Sequence, residues 1–140
     1  MARAPRSRVV PLLATAVVLT AAVALAAACS AKHDATAPYR PPPECDLAGQ
    51  PAAGATQAYV AMRGFAFTPD TIRVAAGTTV TWVNCEQPSV DAHTATASGG
   101  EWDSGYLQPG QKFTRIFAAA GRFAYACIPH PFMHGAVVVQ

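Results

Sequence analysis

Gly121-Arg-Phe-Ala-Tyr-Ala-Cys127-Ile-Pro-His130-Pro-Phe-Met133-His134-Gly135-Ala136-Val-Val-Val139 is the stretch from which the rest of this 140-residue chain can be read. Phe123, Tyr125 and Cys127 alternate with Arg122, Ala124 and Ala126, the period of a strand with one buried face. Ala136 to Val139 is a second, wholly apolar strand. Between them runs a loop whose thiol, imidazole and thioether stand three residues apart. Pro129 fixes its own φ and Pro131 pushes His130 toward extended dihedrals, so the loop is largely pre-set. A strand that delivers Cys127 to one end of a sheet, and a stiff loop that returns His130 and Met133 to the same point, suit a soft, low-coordinate metal. Copper is the first expectation.

Upstream, from about residue 56, short β-branched and aromatic runs alternate with turn signals at intervals of about ten residues. Gln57 to Phe67 alternates loosely until Thr68-Pro-Asp breaks it, and Thr71 to Val74 is a short strand ended by Ala76-Gly77. Thr78-Thr-Val-Thr-Trp-Val-Asn84 is the clearest strand, with Val80 and Trp82 on one face and Thr79 and Thr81 on the other. Gln108 to Gln111 reads as a turn. Lys112 to Phe117 reads as a strand of ambiguous facing, because Arg115 shares the parity of Phe113 and Phe117. About seven to eight short strands without helical periodicity predict an all-β, Greek-key β-sandwich. Trp82, Phe123 and Tyr125 are assigned to its core, while Trp102 and Tyr106 fit either core or surface.

The first part of the chain has another texture. Arg3, Arg6 and Arg8 precede the uncharged apolar run Val9 to Ala28, so residues 1–28 read as an export signal. The run also approaches the length of a membrane span, the alternative reading. Leu25-Ala-Ala-Ala-Cys29 resembles a bacterial lipoprotein processing site with its leucine displaced by one position, which makes Cys29 a lipidation candidate. Plain secretion is the other possibility. Two or more acyl chains would hold the protein on a membrane. Residues 29–55, rich in Ala, Pro, Gly and Thr, read as a flexible tether ahead of a domain over 56–140.

Ten basic residues less the three in the leader leave seven, against eight acids that all follow Cys29. That near-neutral balance excludes a nucleic-acid binder, which would cluster Lys and Arg. Each of the four cysteines can be given its own role. Cys29 is the lipid candidate and Cys127 the metal candidate, which leaves Cys45 and Cys85 to form a disulfide in an oxidising compartment. Closing that loop of about 40 residues stabilises by roughly 4 kcal/mol on the chain-entropy model.

A metal held by Cys127, His130 and Met133 needs one more strong donor. His93, in Asp91-Ala-His-Thr-Ala-Thr96 just beyond the Trp82 strand, is the candidate, since His33 lies in the tether and His134 is offset from Met133 by one position. Two histidines, a cysteine and a weak axial methionine form the blue-copper donor set.

With these residues in view, 60–140 resembles a small cupredoxin, and the Cys-x-Pro-His-Pro-Phe-Met loop is most similar to that of the amicyanins. Further shared features are Phe65-x-Phe-x-Pro69, Val74-x-x-Gly77, Val80-Thr-Trp-x-Asn84, Ser104-Gly105, Pro109-Gly110, Gly121-x-Phe-x-Tyr125 and Gly135. The resemblance implies one type 1 copper with His93, Cys127 and His130 equatorial and Met133 axial. Asn84 and Thr94 are the positions expected to brace the ligands; familiar relatives often carry Asn where this chain has Thr94, whose hydroxyl would replace it. It also implies that His130 reaches solvent through an apolar patch of Pro129, Pro131 and Phe132, where redox partners dock briefly over a small interface.

The functional expectation is a monomeric, extracytoplasmic, membrane-anchored carrier of single electrons. Copper storage or delivery is the alternative, weakened because only Met62 and Met133 follow the leader. Catalysis is not expected: in multicopper oxidases and copper nitrite reductases the cysteine is flanked by histidine ligands of another copper, whereas Ala126 and Ile128 flank Cys127. Zinc is disfavoured because a thioether is a poor zinc ligand.

Overall fold

The β-branched and aromatic runs become eight strands: β1 (Gln57–Arg63), β2 (Ala66–Thr68), β3 (Thr71–Val74), β4 (Thr78–Asn84), β5 (Thr96–Ala97), β6 (Lys112–Phe117), β7 (Gly121–Ala126) and β8 (His134–Val139). This is the computed structural model of the chain, and it describes residues 38–140. The expected leader 1–28, Cys29 and His33 lie outside the described residues. So does the first part of the expected tether.

Two four-stranded sheets, ordered β2-β1-β4-β6 and β3-β8-β7-β5, pack as an all-β sandwich. β1 pairs with β4, and β3 with β8, in parallel, while the remaining pairings are antiparallel. Only β1-β2 and β7-β8 are hairpins between chain neighbours, and the other connections cross between partners distant in sequence. β5 is not legible in the sequence because two residues are too few to display a period.

Between the sheets Trp82 is fully buried, its ring within 5.3–6.2 Å of those of Trp102, Phe113, Phe117 and Tyr125. Trp102 therefore belongs to the core, while Tyr106 stays exposed. The ambiguous parity of Arg115 is resolved by its place on an edge strand. Its guanidinium lies 5.0 Å from the centre of the Trp102 ring and donates Nη1–H to the Glu101 carbonyl, so the stem covers apolar surface while the charge finds partners. Gly135 is required for a steric reason, since a Cβ there would run into the ring and hydroxyl of its cross-strand neighbour Tyr125.

β4 departs from simple alternation. Thr81, Val83 and Asn84 are buried along with Val80 and Trp82. The cause is a short 3-10 turn, Pro43–Asp46, which a Cys45–Cys85 disulfide fastens over the outer face, so that Cys45, Ala61, Val83, Cys85 and Ala48 form a second apolar cluster. The Cys45–Cys85 bridge thus fastens the later part of the expected tether, from the 3-10 turn onward, to the sandwich. Gln50 bonds the backbone of Thr71 and Arg73, the Gly49 N–H donates to the Tyr59 carbonyl, and Lys112 pairs with Glu44. Composition could not reveal this, because the segment is held by scattered polar contacts and one buried cysteine instead of a periodic apolar face. Among the described residues no helix is long and apolar enough to cross a membrane.

Candidate metal centre

β7 ends at Ala126 and leaves Cys127 buried at the end of its sheet. The loop beyond closes on itself, with the Met133 N–H donating to the His130 carbonyl at 2.8 Å and the Cys127 N–H to the Met133 carbonyl at 3.1 Å. His130 is thereby turned back beside the thiol. His93 arrives from the segment between β4 and β5, pinned by a two-way backbone pairing with Leu107 (3.1 and 2.8 Å) and fully buried. Its Nδ1 lies 3.0 Å from Nδ1 of His130, and Cys127 Sγ is 3.7 Å from the first nitrogen and 3.5 Å from the second. Met133 is buried in the same apolar cluster as Cys127.

Three potential ligand atoms converging at this range are placed to share one cation. Donors about 2 Å from one ion in a trigonal plane stand roughly 3.5 Å apart, close to the separations seen. The soft sulfur, two imidazoles and neighbouring thioether match copper in donor chemistry. Of the other histidines, His134 is exposed on β8, outside this group.

The surrounding contacts fix these donors. The Thr94 N–H donates to Cys127 Sγ at 3.3 Å, and the Thr94 hydroxyl accepts from the Ile128 N–H at 2.9 Å, so this residue ties the His93 segment to the cysteine loop twice. Asn84 is fully buried and acts at one remove. Its amide donates to the Leu107 carbonyl at 2.8 Å, and its Oδ1 accepts the Glu86 N–H at 3.0 Å.

Glu86 is the residue that sequence reasoning missed. Its Oε1 lies 3.3 Å from His93 Nε2 and also accepts the Phe65 N–H at 3.0 Å. Burial would raise its pKa, but backbone N–H donors at Phe65 and Gly64, together with His93, outweigh that and hold it below the usual value. A carboxylate on Nε2 places the His93 proton there and leaves Nδ1 bare toward Cys127. Burial in turn keeps His93 below the ordinary imidazole value, favouring the neutral, ligating form. An acid seven residues before a histidine carries no signal in a single sequence.

Phe65 completes the site. It follows Gly64 in the two-residue β1–β2 turn, with φ of 61° and 56°, and is the single non-glycine residue at positive φ among the described residues. Its ring stands nearly perpendicular to those of His93 and His130, at 5.5 and 5.0 Å. Around the half-buried His130, the exposed side chains Phe65 (40%), Ile128 (58%) and Phe132 (68%), with Pro129 and Pro131, make an apolar surface.

Residues 55–140 match the copper-binding plastocyanin/azurin family. The chain belongs to that family. As a cupredoxin it has a place for one type 1 copper ion, and the donor set above is chemically suited to it. Amicyanin-alpha of Methylorubrum extorquens is 39% identical over 90 residues, spanning 63% of this chain and 74% of that protein. The amicyanin of Paracoccus denitrificans is 37% identical over 75 residues, 52% of this chain and 56% of its own length. Among solved structures, a reduced tryptophan-to-tyrosine mutant of amicyanin superposes with a TM-score of 0.53 at 27% identity, covering 61% of this cupredoxin and 83% of that chain. A copper-containing nitrite reductase from Thermus scotoductus, at 24% identity, 27% coverage of its own chain and a TM-score of 0.56, shares the fold alone.

Proposed function

We propose that this cupredoxin is a blue copper electron carrier in which His93, Cys127 and His130 would hold the ion and Met133, buried in the same cluster as Cys127, would supply a weak fourth donor. The observation behind this reading is the meeting of the two Nδ1 atoms and Cys127 Sγ within 4.8 Å of one another, brought from segments more than 30 residues apart. Bound copper supplies a one-electron Cu(I)/Cu(II) couple.

The chain's own residues fit that role by holding still. Pro129 and Pro131 restrict the loop, Thr94 fastens it to the His93 segment, and the Thr94 N–H spreads charge from the sulfur. A donor frame that moves little between oxidation states keeps the barrier to electron transfer low. His130 is the half-buried donor, so it is the exit, and the apolar rim of Ile128, Pro129, Pro131 and Phe132 is the docking surface for redox partners held weakly and briefly.

Export and anchoring belong to the same proposal. The basic Arg3, Arg6 and Arg8, the apolar run behind them, and the small residues before Cys29 support a periplasmic or cell-surface protein held by lipid. Intact-mass analysis of the membrane-associated protein tests this, with an acylated N-terminal cysteine as the expected result.

The copper reading is tested by titrating the apoprotein with cupric ion. An intense thiolate-to-copper band in the visible is expected, lost in Cys127→Ser. A colourless cupric complex would overturn electron transfer as the function.

A further inference from the structure

We propose that Phe65 is a positioning residue for the metal centre, a latch that keeps water from the two imidazoles and holds His130 in its donor position. The proposal rests on the copper reading above. Its starting point is an anomaly of the backbone. In a two-residue hairpin turn with positive φ at both positions, Gly or Asn belongs, and a bulky aromatic at φ 56° is an outlier. The turn itself does not require the ring. Nor does the bond from the Phe65 N–H to Glu86 Oε1, since any residue but proline offers that donor.

The ring also adds nothing to the sandwich interior: it is 40% exposed and stands outside the apolar core. What it does touch is His93 and His130, at 5.5 and 5.0 Å and near-perpendicular to both. On another side His130 meets the ring of Phe132 at 6.0 Å. The imidazole is thus flanked by two aromatic side chains, one from its own loop and one from the β1–β2 turn of the other sheet. Glu86 fastens the second: the oxygen that holds Phe65 by its N–H is the one that faces His93 Nε2. A single carboxylate therefore ties the turn, and with it the covering ring, to a metal donor.

A latch and a merely structural side chain respond oppositely to glycine. Phe65→Gly removes the ring and relieves the backbone, because glycine accepts positive φ freely. In the full-length protein we expect the Phe65→Gly apoprotein to melt at or above the wild-type temperature. Its cuprous form should nevertheless surrender the ion to bathocuproine disulfonate about ten times faster or more, the scale on which groups around a metal act. The visible band of the cupric form should shift as well. Phe65→Tyr, which keeps the ring, should match wild type in all three measurements.

Release from Phe65→Gly at the wild-type rate would overturn the proposal, as would a lower apoprotein melting temperature with tyrosine failing to restore retention. If wild type took up no copper, the reading of function would fall and this inference with it. Wild-type uptake with unchanged release from Phe65→Gly would sink this inference alone.

Discussion

His93 is held at both ring nitrogens by parts of the chain far from it in sequence: Nδ1 faces Cys127 and His130, and Nε2 faces Glu86. Removing the carboxylate takes away the partner that sets the tautomer and strengthens the donor. Glu86→Ala should weaken copper binding by about 10–100-fold in a chelator competition, with Glu86→Gln less affected because its amide oxygen still accepts. Gly135 gives a second prediction at this scale. A methyl group there meets the Tyr125 ring, so Gly135→Ala should cost about 1–3 kcal/mol in denaturant unfolding. The proposed donors could be named from the sequence: Cys127, His130 and Met133 announce one another by spacing, and His93, in the loop chosen to join them, does meet Cys127 and His130 in the fold. Glu86 and the ring of Phe65 were not, because each acquires its role from a turn of another strand, and that proximity is tertiary.

Elements differ in how openly they state their surroundings. β7 showed its buried face because Phe123, Tyr125 and Cys127 pack one way and solvent lies the other. β4 did not, because the 3-10 turn Pro43–Asp46 covers its outer side and buries Val83 from behind. Nothing within Thr78 to Asn84 records that cover. The pairing of Cys45 with Cys85 was inferred by counting thiols, yet its mechanical role, laying the 3-10 turn on the sheet, required the fold. A Cys45→Ser, Cys85→Ser double variant should lose about 2–4 kcal/mol of stability to denaturant. Cleavage by a non-specific protease between residues 46 and 55 should appear in that variant and stay slow in wild type.

Across the whole molecule, the sandwich gathers His93, Cys127 and His130 at one place and rings His130 with apolar side chains. The exposed side chains around His130 are apolar, so encounter relies on desolvation more than on steering. Electron self-exchange between oxidised and reduced copies, followed by NMR line broadening, reads this face without a physiological partner. It should depend weakly on ionic strength in wild type. Phe132→Glu sets like charges against one another across the contact. It should slow exchange on the order of tenfold at low salt, recovering as salt is added, with the visible spectrum unchanged. At this scale the fold class was legible from strand count and turn spacing. The two parallel pairings, β1 with β4 and β3 with β8, were not, because local pattern carries no information on which distant strand becomes a neighbour.

One carboxylate oxygen answering both the hairpin turn and the buried imidazole has an evolutionary consequence. A lineage that exchanged the acid would release the turn that carries the aromatic and with it the ring's cover on the imidazoles, while one that kept the acid could keep the aromatic in its awkward stance. Aligned descendants of this ancestor should therefore show positions 65 and 86 drifting in step.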